Sequence, residues 1–310
     1  MNTDIDVIIP TYNSASNLDI CLSRLDAQVG RERARVMIVD GGSTDDTVAI
    51  AKSHNAEVFI NRGQYGTGLN GARHYGEMRG ESPYVWYLDS DNFLVERNVL
   101  EGLVESLDMN DDATMAIPVT AVDILSPSFC RWLSMVEIEA FTKSLGCQEK
   151  VGGCQKVDDL TYGLPNAVLI RRAAIVRVGG YDSDVRMLMR LRKCKLSKAI
   201  VHFNLHFYHH EANSILQYLR KIVRRILFFG RMTDSDLSKH FLEFPVKTPD
   251  HKAISAFTFE NKIAFPITSL KQVYYTKNPD WLWGLVSPLV PLAVLLRHPV
   301  LTYRVVKRVL

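Results

Sequence analysis

The strongest constraint on this chain is an alternation, over its first 120 residues, between short β-rich runs and stretches of helical period. Ile5 to Ile9, Val36 to Val39, Val58 to Ile60, Tyr84 to Leu88 and Met115 to Val119 have the composition of strands. Between them apolar residues recur three to four apart, as in Leu18, Cys21, Leu22 and Leu25, and then in Val48, Ala49 and Ala51. This order predicts an α/β fold with a Rossmann-like, mostly parallel sheet and helices on both faces. In such sheets ligands bind outside the carboxyl ends of the strands. Three runs end there in polar or turn residues: Pro10-Thr11-Tyr12-Asn13, Asp40-Gly41-Gly42-Ser43-Thr44-Asp45 and Asp89-Ser90-Asp91-Asn92. These ends are expected to converge on one crevice.

Composition narrows the partners. The 310 residues are 47% hydrophobic, enough for a sizeable core, and the net charge of +3 falls short of the clustered basic excess of a nucleic-acid binder. Nucleic acid is therefore not an expected partner. Five cysteines form no C-x-x-C pair, which argues against a disulfide scaffold or a zinc site and for a reducing compartment. The opening MNTDIDVIIP has two acids and no basic region before its apolar run, so it reads as a strand rather than a secretory signal.

Asp89 and Asp91 follow a buried-looking strand, and carboxylates one residue apart at a strand end can hold a hard divalent cation that also binds a diphosphate. By itself D-x-D fits a solvated turn as well, and its position is what favours the metal. Ser43-Thr44-Asp45-Asp46 would cap the next helix whatever the function. Asp40 precedes that cap, where a carboxylate can accept from a nucleobase N–H.

Together these segments resemble the inverting family 2 glycosyltransferases of the GT-A fold. The resemblance rests on VIIPTYN at 7–13, VDGGSTDDT at 39–47, GLNGARHYG at 68–76, YVWYLDSDN at 84–92 and RRAAIVRVGGYD at 171–182, and it covers roughly the first 210 residues. It implies that Pro10, Tyr12, Asp40 and Arg73 surround the nucleotide, that Asp89 lies near the ribose, and that Asp91, with Asp89 beside it, binds Mn²⁺ or Mg²⁺. The sequence departs from the family in having Gly41 where a second acid is common, His74 where Asn is common, and a shortened segment after Gly179-Gly180-Tyr181-Asp182. Aligning Arg190-Leu191-Arg192-Lys193 leaves Asp184 as candidate base and Asp182 as substitute, although an acid there also suits a helix N-terminus. The implied reaction is direct displacement at the anomeric carbon, with a carboxylate taking the acceptor hydroxyl's proton.

His202, His206, His209 and His210 lie close together, but the alternation in Val201 to Phe207 suits a strand better than a metal cluster. The resemblance sets His209-His210 apart, near the diphosphate or in the metal shell.

The division expected is a catalytic domain over 1–210 and a helical, membrane-associating region over 211–310. Ser214 to Arg231 puts Ile215, Leu219, Ile222, Ile226 and Phe229 on one stripe and Arg220, Lys221, Arg224 and Arg225 in a basic band. Trp281 to Leu296 is a 16-residue uncharged stretch interrupted by Pro288 and Pro291, too short for a straight span, and cations follow it. The expectation is a peripheral or re-entrant enzyme on the cytoplasmic face of the cell membrane. It would move a sugar from a nucleoside-diphosphate sugar to a lipid-linked or polyprenyl-phosphate acceptor. A sugar-1-phosphate nucleotidyltransferase is disfavoured, because Pro10-Thr11-Tyr12-Asn13 lacks the Gly-rich basic loop it would need. A non-catalytic membrane-binding module that keeps a nucleotide fold is the other alternative.

Overall fold

The structure of the protein, a computed structural model, describes residues 3–145, 153–160 and 166–210. The chain groups into two compact units, Met1–Val122 with Glu137–His210, and Asp123–Val136 with Glu211–Leu310. The basic helix expected over 214–231 and the apolar stretch 281–296 lie outside the described residues. Among the described residues no helix is long and apolar enough to cross a membrane.

The strands are β1 (Ile5–Thr11), β2 (Ala34–Asp40), β3 (Glu57–Ile60), β4 (Tyr84–Tyr87), β5 (Asn92–Leu94), β6 (Met115–Ala121), β7 (Cys154–Val157), β8 (Val168–Arg171) and β9 (Ala199–His209). The helices are α1 (Ala15–Asp26), α2 (Thr47–Ser53), α3 (Gly68–Arg79), α4 (Val99–Asp108), α5 (Ser128–Leu145), α6 (Arg172–Arg177) and α7 (Asp184–Lys193). One sheet runs in the order β3-β2-β1-β4-β8-β6-β9-β5, with β7 also paired to β9.

Both faces of the sheet are covered, and the period-2 geometry of the strands shows how. Val7, Ile9, Val36, Ile38 and Trp86 join one core with Leu18, Cys21, Leu22 and Leu25 of α1 and Leu100, Leu103 and Leu107 of α4. Their neighbours Ile8, Met37, Val39, Val85 and Tyr87 join the opposite core with Ala72 and Tyr75 of α3, Ile175 of α6 and Leu188 and Leu191 of α7. In α2 the buried residues are Thr47 and Ala51, while Ala49 faces solvent.

The expectation of a mostly parallel sheet is corrected. Pairs β1–β2, β2–β3, β1–β4 and β6–β9 are parallel, whereas β4–β8, β6–β8, β5–β9 and β7–β9 are antiparallel. The strand-helix alternation covers only the first half of the sheet. Beyond it, β8 inserts between β4 and β6 from the far end and leads straight into α6, so no helical crossover sets its direction.

This insertion explains Arg171 and Arg172. Arg172 donates to the fully buried Asp6 at 2.6 Å and to the carbonyls of Ser82 and Glu77. Arg171 reaches the carbonyls of Ala113 and Leu107. Both hold the amino end of the sheet. From there α6 and the left-handed pair Gly179-Gly180 return the chain to Tyr181 and α7.

Strand β9 is continuous over the histidine-rich stretch, with a register break against β6 between Pro118 and Val119. His202 is buried, which pushes its pKa down, and His206 pairs with Glu96 at 2.7 Å. Neither belongs to a metal cluster among the described residues. The strand ends with His209 opposite Asn92. In the second unit, Asp123 accepts from the Leu125 amide and the Ser126 hydroxyl, and Arg131 donates to the Ser126 carbonyl, forming a tight turn before α5.

Candidate active site

The carboxyl ends of β1, β2 and β4 are in register. Thr11 stands opposite Asp40, Ile8 opposite Tyr87, and the Leu88 amide donates to the Ile8 carbonyl at 3.2 Å. The loops beyond β1 and β2 are tied together: Asn13 donates through its amide to Ser43 Oγ at 2.8 Å and accepts from the Thr44 amide at 2.9 Å. The Ser14 amide reaches Thr47 Oγ1, and the Ala15 amide reaches Asp45. Tyr12 stands on this rim with 66% of its surface exposed, beside the half-buried Pro10.

Asp40 is fully buried and its carboxylate is already committed. Oδ1 accepts from the amides of Gly42 and Ser43 at 2.9 and 2.8 Å, and Oδ2 from the hydroxyls of Thr11, at 3.0 Å, and Ser43. Four donors on two oxygens leave this group shaping the turn, with no oxygen facing solvent.

The second part of the site comes from α3. Gly71 packs this helix against the backbone of Gly66, where a Cβ would overlap the Gly66 carbonyl, and Gly66 itself has φ +88°. Two residues on, Arg73 points inward, 2% exposed, with its guanidinium over the rings of Tyr87 and Tyr181 at 5.6 and 6.0 Å. Its Nη2 donates to Asp89 Oδ1 at 2.7 Å and its Nη1 to Asp184 Oδ1 at 2.6 Å. One buried cation thus bridges a carboxylate from the end of β4 and one from the first turn of α7.

Asp184 owes its position to a helix start that the sequence builds locally. Ser183 caps α7, its side chain accepting from the Arg186 amide, and Asp184 takes the first helical position, where the helix dipole favours an acid. Burial raises the Asp184 pKa, while Arg73 and the hydrogen bond from Tyr181 pull against that rise. Burial opposes the charge on Arg73, but Asp184 and Asp89 outweigh it and hold the guanidinium above its usual range. The Tyr181 hydroxyl donates to Asp184 Oδ1 at 2.9 Å and lies 3.1 Å from the Asn70 side chain. All described bonds to this carboxylate end on Oδ1, and Oδ2 carries none among the described residues, in a side chain 29% exposed.

Asp182 is placed otherwise. Its Oδ2 pairs with Arg190 at 2.6 Å and its Oδ1 accepts from the Ser183 amide, so its bonds secure the turn into α7.

Asp91 directly precedes β5, beside the end of β9. Its carbonyl accepts from the His210 amide at 2.9 Å, and its Oδ1 is 3.7 Å from His209 Nε2. The His210 ring packs on Phe93, with centroids 4.6 Å apart. A carboxylate and an imidazole too far apart for a direct hydrogen bond, yet close enough for both to reach one ion, form a donor set that suits a divalent cation such as Mn²⁺. Among the described residues no third His, Cys, Asp or Glu completes a cluster.

Tyr181 and Asn70 were not singled out by sequence reasoning, although both lie inside quoted motifs. The available signal was the spacing of Asn70 and Arg73, three residues apart and so on one face of α3.

The geometry coincides with sequence and fold relationships. Residues 6–176 match the profile of glycosyl transferase family 2. Glycosyltransferase AglE of Haloferax volcanii is 33% identical over 93 residues, which cover 28% of this chain and 30% of that protein. Among solved structures, the mannosyltransferase PcManGT from Pyrobaculum calidifontis, in complex with GDP-Man and Mn²⁺, has a TM-score of 0.55 at 16% identity, covering 98% of this chain and 83% of that one. S. aureus TarS 1-349 in complex with UDP-GlcNAc has a TM-score of 0.52 at 16% identity, covering 93% and 88%. The mixed α/β sheet is therefore of the GT-A type, and the chain belongs to glycosyl transferase family 2.

Proposed function

We propose that the protein transfers a sugar from a nucleoside-diphosphate donor to a hydroxyl acceptor with inversion, Asp184 acting as general base. The observation that carries this reading is the buried Arg73 bridge. It ties Asp89, which would face the sugar donor, to Asp184, whose Oδ2 carries no hydrogen bond among the described residues and can accept a proton. Tyr12 offers a ring to the nucleobase, beside Pro10. Asp40 serves the nucleotide by holding the Gly41–Ser43 turn in shape.

Asp91 and His209 would hold the divalent cation, which when bound offsets negative charge on the leaving diphosphate. Asp89, committed to Arg73, orients this segment rather than supplying the main ligand. The protein's own residues perform the proton transfer. Asp184 Oδ2 takes the acceptor proton as the new bond forms, and Arg73 remains protonated throughout.

The acceptor we propose is lipid-linked, with the enzyme on the cytoplasmic membrane surface. This rests on the sequence of 214–231 and 281–296. The test is Asp184→Asn: turnover with a hydroxyl acceptor is expected to fall at least ~100-fold while nucleoside diphosphate binding persists. Retained turnover with retained binding would overturn Asp184 as base and point to an acceptor ionised already, such as a polyprenyl phosphate.

A further inference from the structure

Among the described residues Asp184 receives two donors on one oxygen and none on the other, and the arrangement behind those donors extends a further step. The Tyr181 hydroxyl lies within hydrogen-bond distance of Asp184 Oδ1, at 2.9 Å, and of the amide oxygen of Asn70, at 3.1 Å. A phenol has one proton and cannot donate to both. Arg73 Nη1 donates to the same hydroxyl at 3.4 Å, and of the two acceptors left for the phenol proton an ionised carboxylate is stronger than an amide oxygen. The proton therefore belongs on the Asp184 side, and the Asn70 amide is satisfied by turning its NH₂ toward the Tyr181 oxygen, an assignment that hydrogen-bond economy decides. Tyr181 is 1% exposed and its burial keeps the phenol neutral, so the donated proton is always present.

We propose that Asn70 and Tyr181 are positioning residues. They form a relay from the exposed first turn of α3 that directs the Tyr181 proton onto Asp184 Oδ1 and thereby reserves Oδ2 for the acceptor hydroxyl. The inference rests on Asp184 being the base. Without the relay, Arg73 alone would hold the carboxylate through one oxygen, and the side chain would be free to rotate and present either oxygen to the guanidinium. With it, two donors from different directions fix the plane of the carboxylate. Asn70 also gives the chain a place where a change at the rim of the crevice reaches the base through a single intervening side chain.

The test is a double-mutant cycle on nucleoside diphosphate release, with water as acceptor and Mn²⁺ present, using whichever of GDP-mannose, UDP-glucose and UDP-GlcNAc the protein turns over fastest. Tyr181→Phe is expected to lower kcat about tenfold, the loss of one hydrogen bond to a charged group, with KM for the donor and affinity for the nucleoside diphosphate unchanged. In the Asp184→Asn background the same change is expected to have no further effect. Asn70→Asp keeps an exposed position but offers a carboxylate that draws the phenolic proton away from Asp184. It is expected to reproduce the Tyr181→Phe loss and to add nothing to it, and it serves if Tyr181→Phe folds poorly. Equal losses from Tyr181→Phe with and without Asp184, or an unchanged kcat in both single variants, would overturn the relay. An unchanged kcat in Asp184→Asn alone would overturn the base assignment instead, and the two failures are read from different corners of the cycle.

Discussion

At the scale of single residues, the site turns on which carboxylates are already occupied. Asp40 serves four donors while fully buried, so replacing one of its oxygens by an NH₂ sets a donor against donors. Asp40→Asn is expected to lower stability by about 1.5–3 kcal/mol, measured by urea unfolding, with weaker nucleotide binding following from the loosened turn. An undiminished midpoint would show that the turn does not depend on this carboxylate. Asp91 differs in its surroundings: its Oδ1 faces His209 Nε2 across 3.7 Å. Calorimetry with UDP and GDP should show Mn²⁺-dependent binding that Asp91→Ala removes, and equal affinity in EDTA would exclude a metal bridge. Asp184 and Asp182, two positions apart, show how little residue type alone conveys. One meets a buried arginine of α3 and the other an arginine of the helix that follows it, and of the two only the first has an oxygen with no hydrogen bond among the described residues.

At the scale of elements, the site depends on helices being held at fixed angles to the sheet ends. Helices α1 and α2 are joined by His54, whose Nδ1 is 2.7 Å from Asp26 and Nε2 3.1 Å from Asp19. Burial lowers the imidazole pKa, but the bonds to Asp26 and Asp19 prevail, so it stands above the ordinary histidine value. A raised folded-state pKa contributes stability in full below the unfolded pKa, and that contribution is lost as pH rises through the folded value. Thermal unfolding of His54→Gln should therefore show a larger deficit at about pH 5.5 than at about pH 9. The difference should be ~1 kcal/mol or less, because Asp19 and Asp26 are 64% and 38% exposed. A deficit independent of pH would mean that the ring acts by packing. The strands and helices of the first half were legible in advance, because period 2 and period 3.6 are properties of adjacent residues. The direction of β8 was not, since a four-residue apolar strand fits a sheet in either sense and its partners Tyr84–Tyr87 and Met115–Ala116 are far away in the chain.

At the scale of the whole molecule, the proposed lipid-linked acceptor requires the enzyme to reach a bilayer. Residues 213–232 and 281–310 contain no acid, and each basic residue near an anionic surface contributes about 1 kcal/mol. The full chain is expected to sediment with anionic liposomes and to be released only partly by salt, whereas truncation after Pro279 should make release by salt complete. A chain that stays in the supernatant at low salt would rule out this surface. The sequence alone determined the alternation of elements, the two-sided burial of β1, β2 and β4, and the polar ends of those strands, because each is written in neighbouring residues. It also marked Asp89, Asp91 and Asp184 as acids worth following. Only the tertiary structure decided that the sheet is half antiparallel, that Asp40 is consumed by its own turn, and that Arg73 joins Asp89 to Asp184, which lies 111 positions beyond the arginine in the chain. These outcomes depend on which donor reaches which oxygen first, and that is a matter of distance in space that no local pattern encodes.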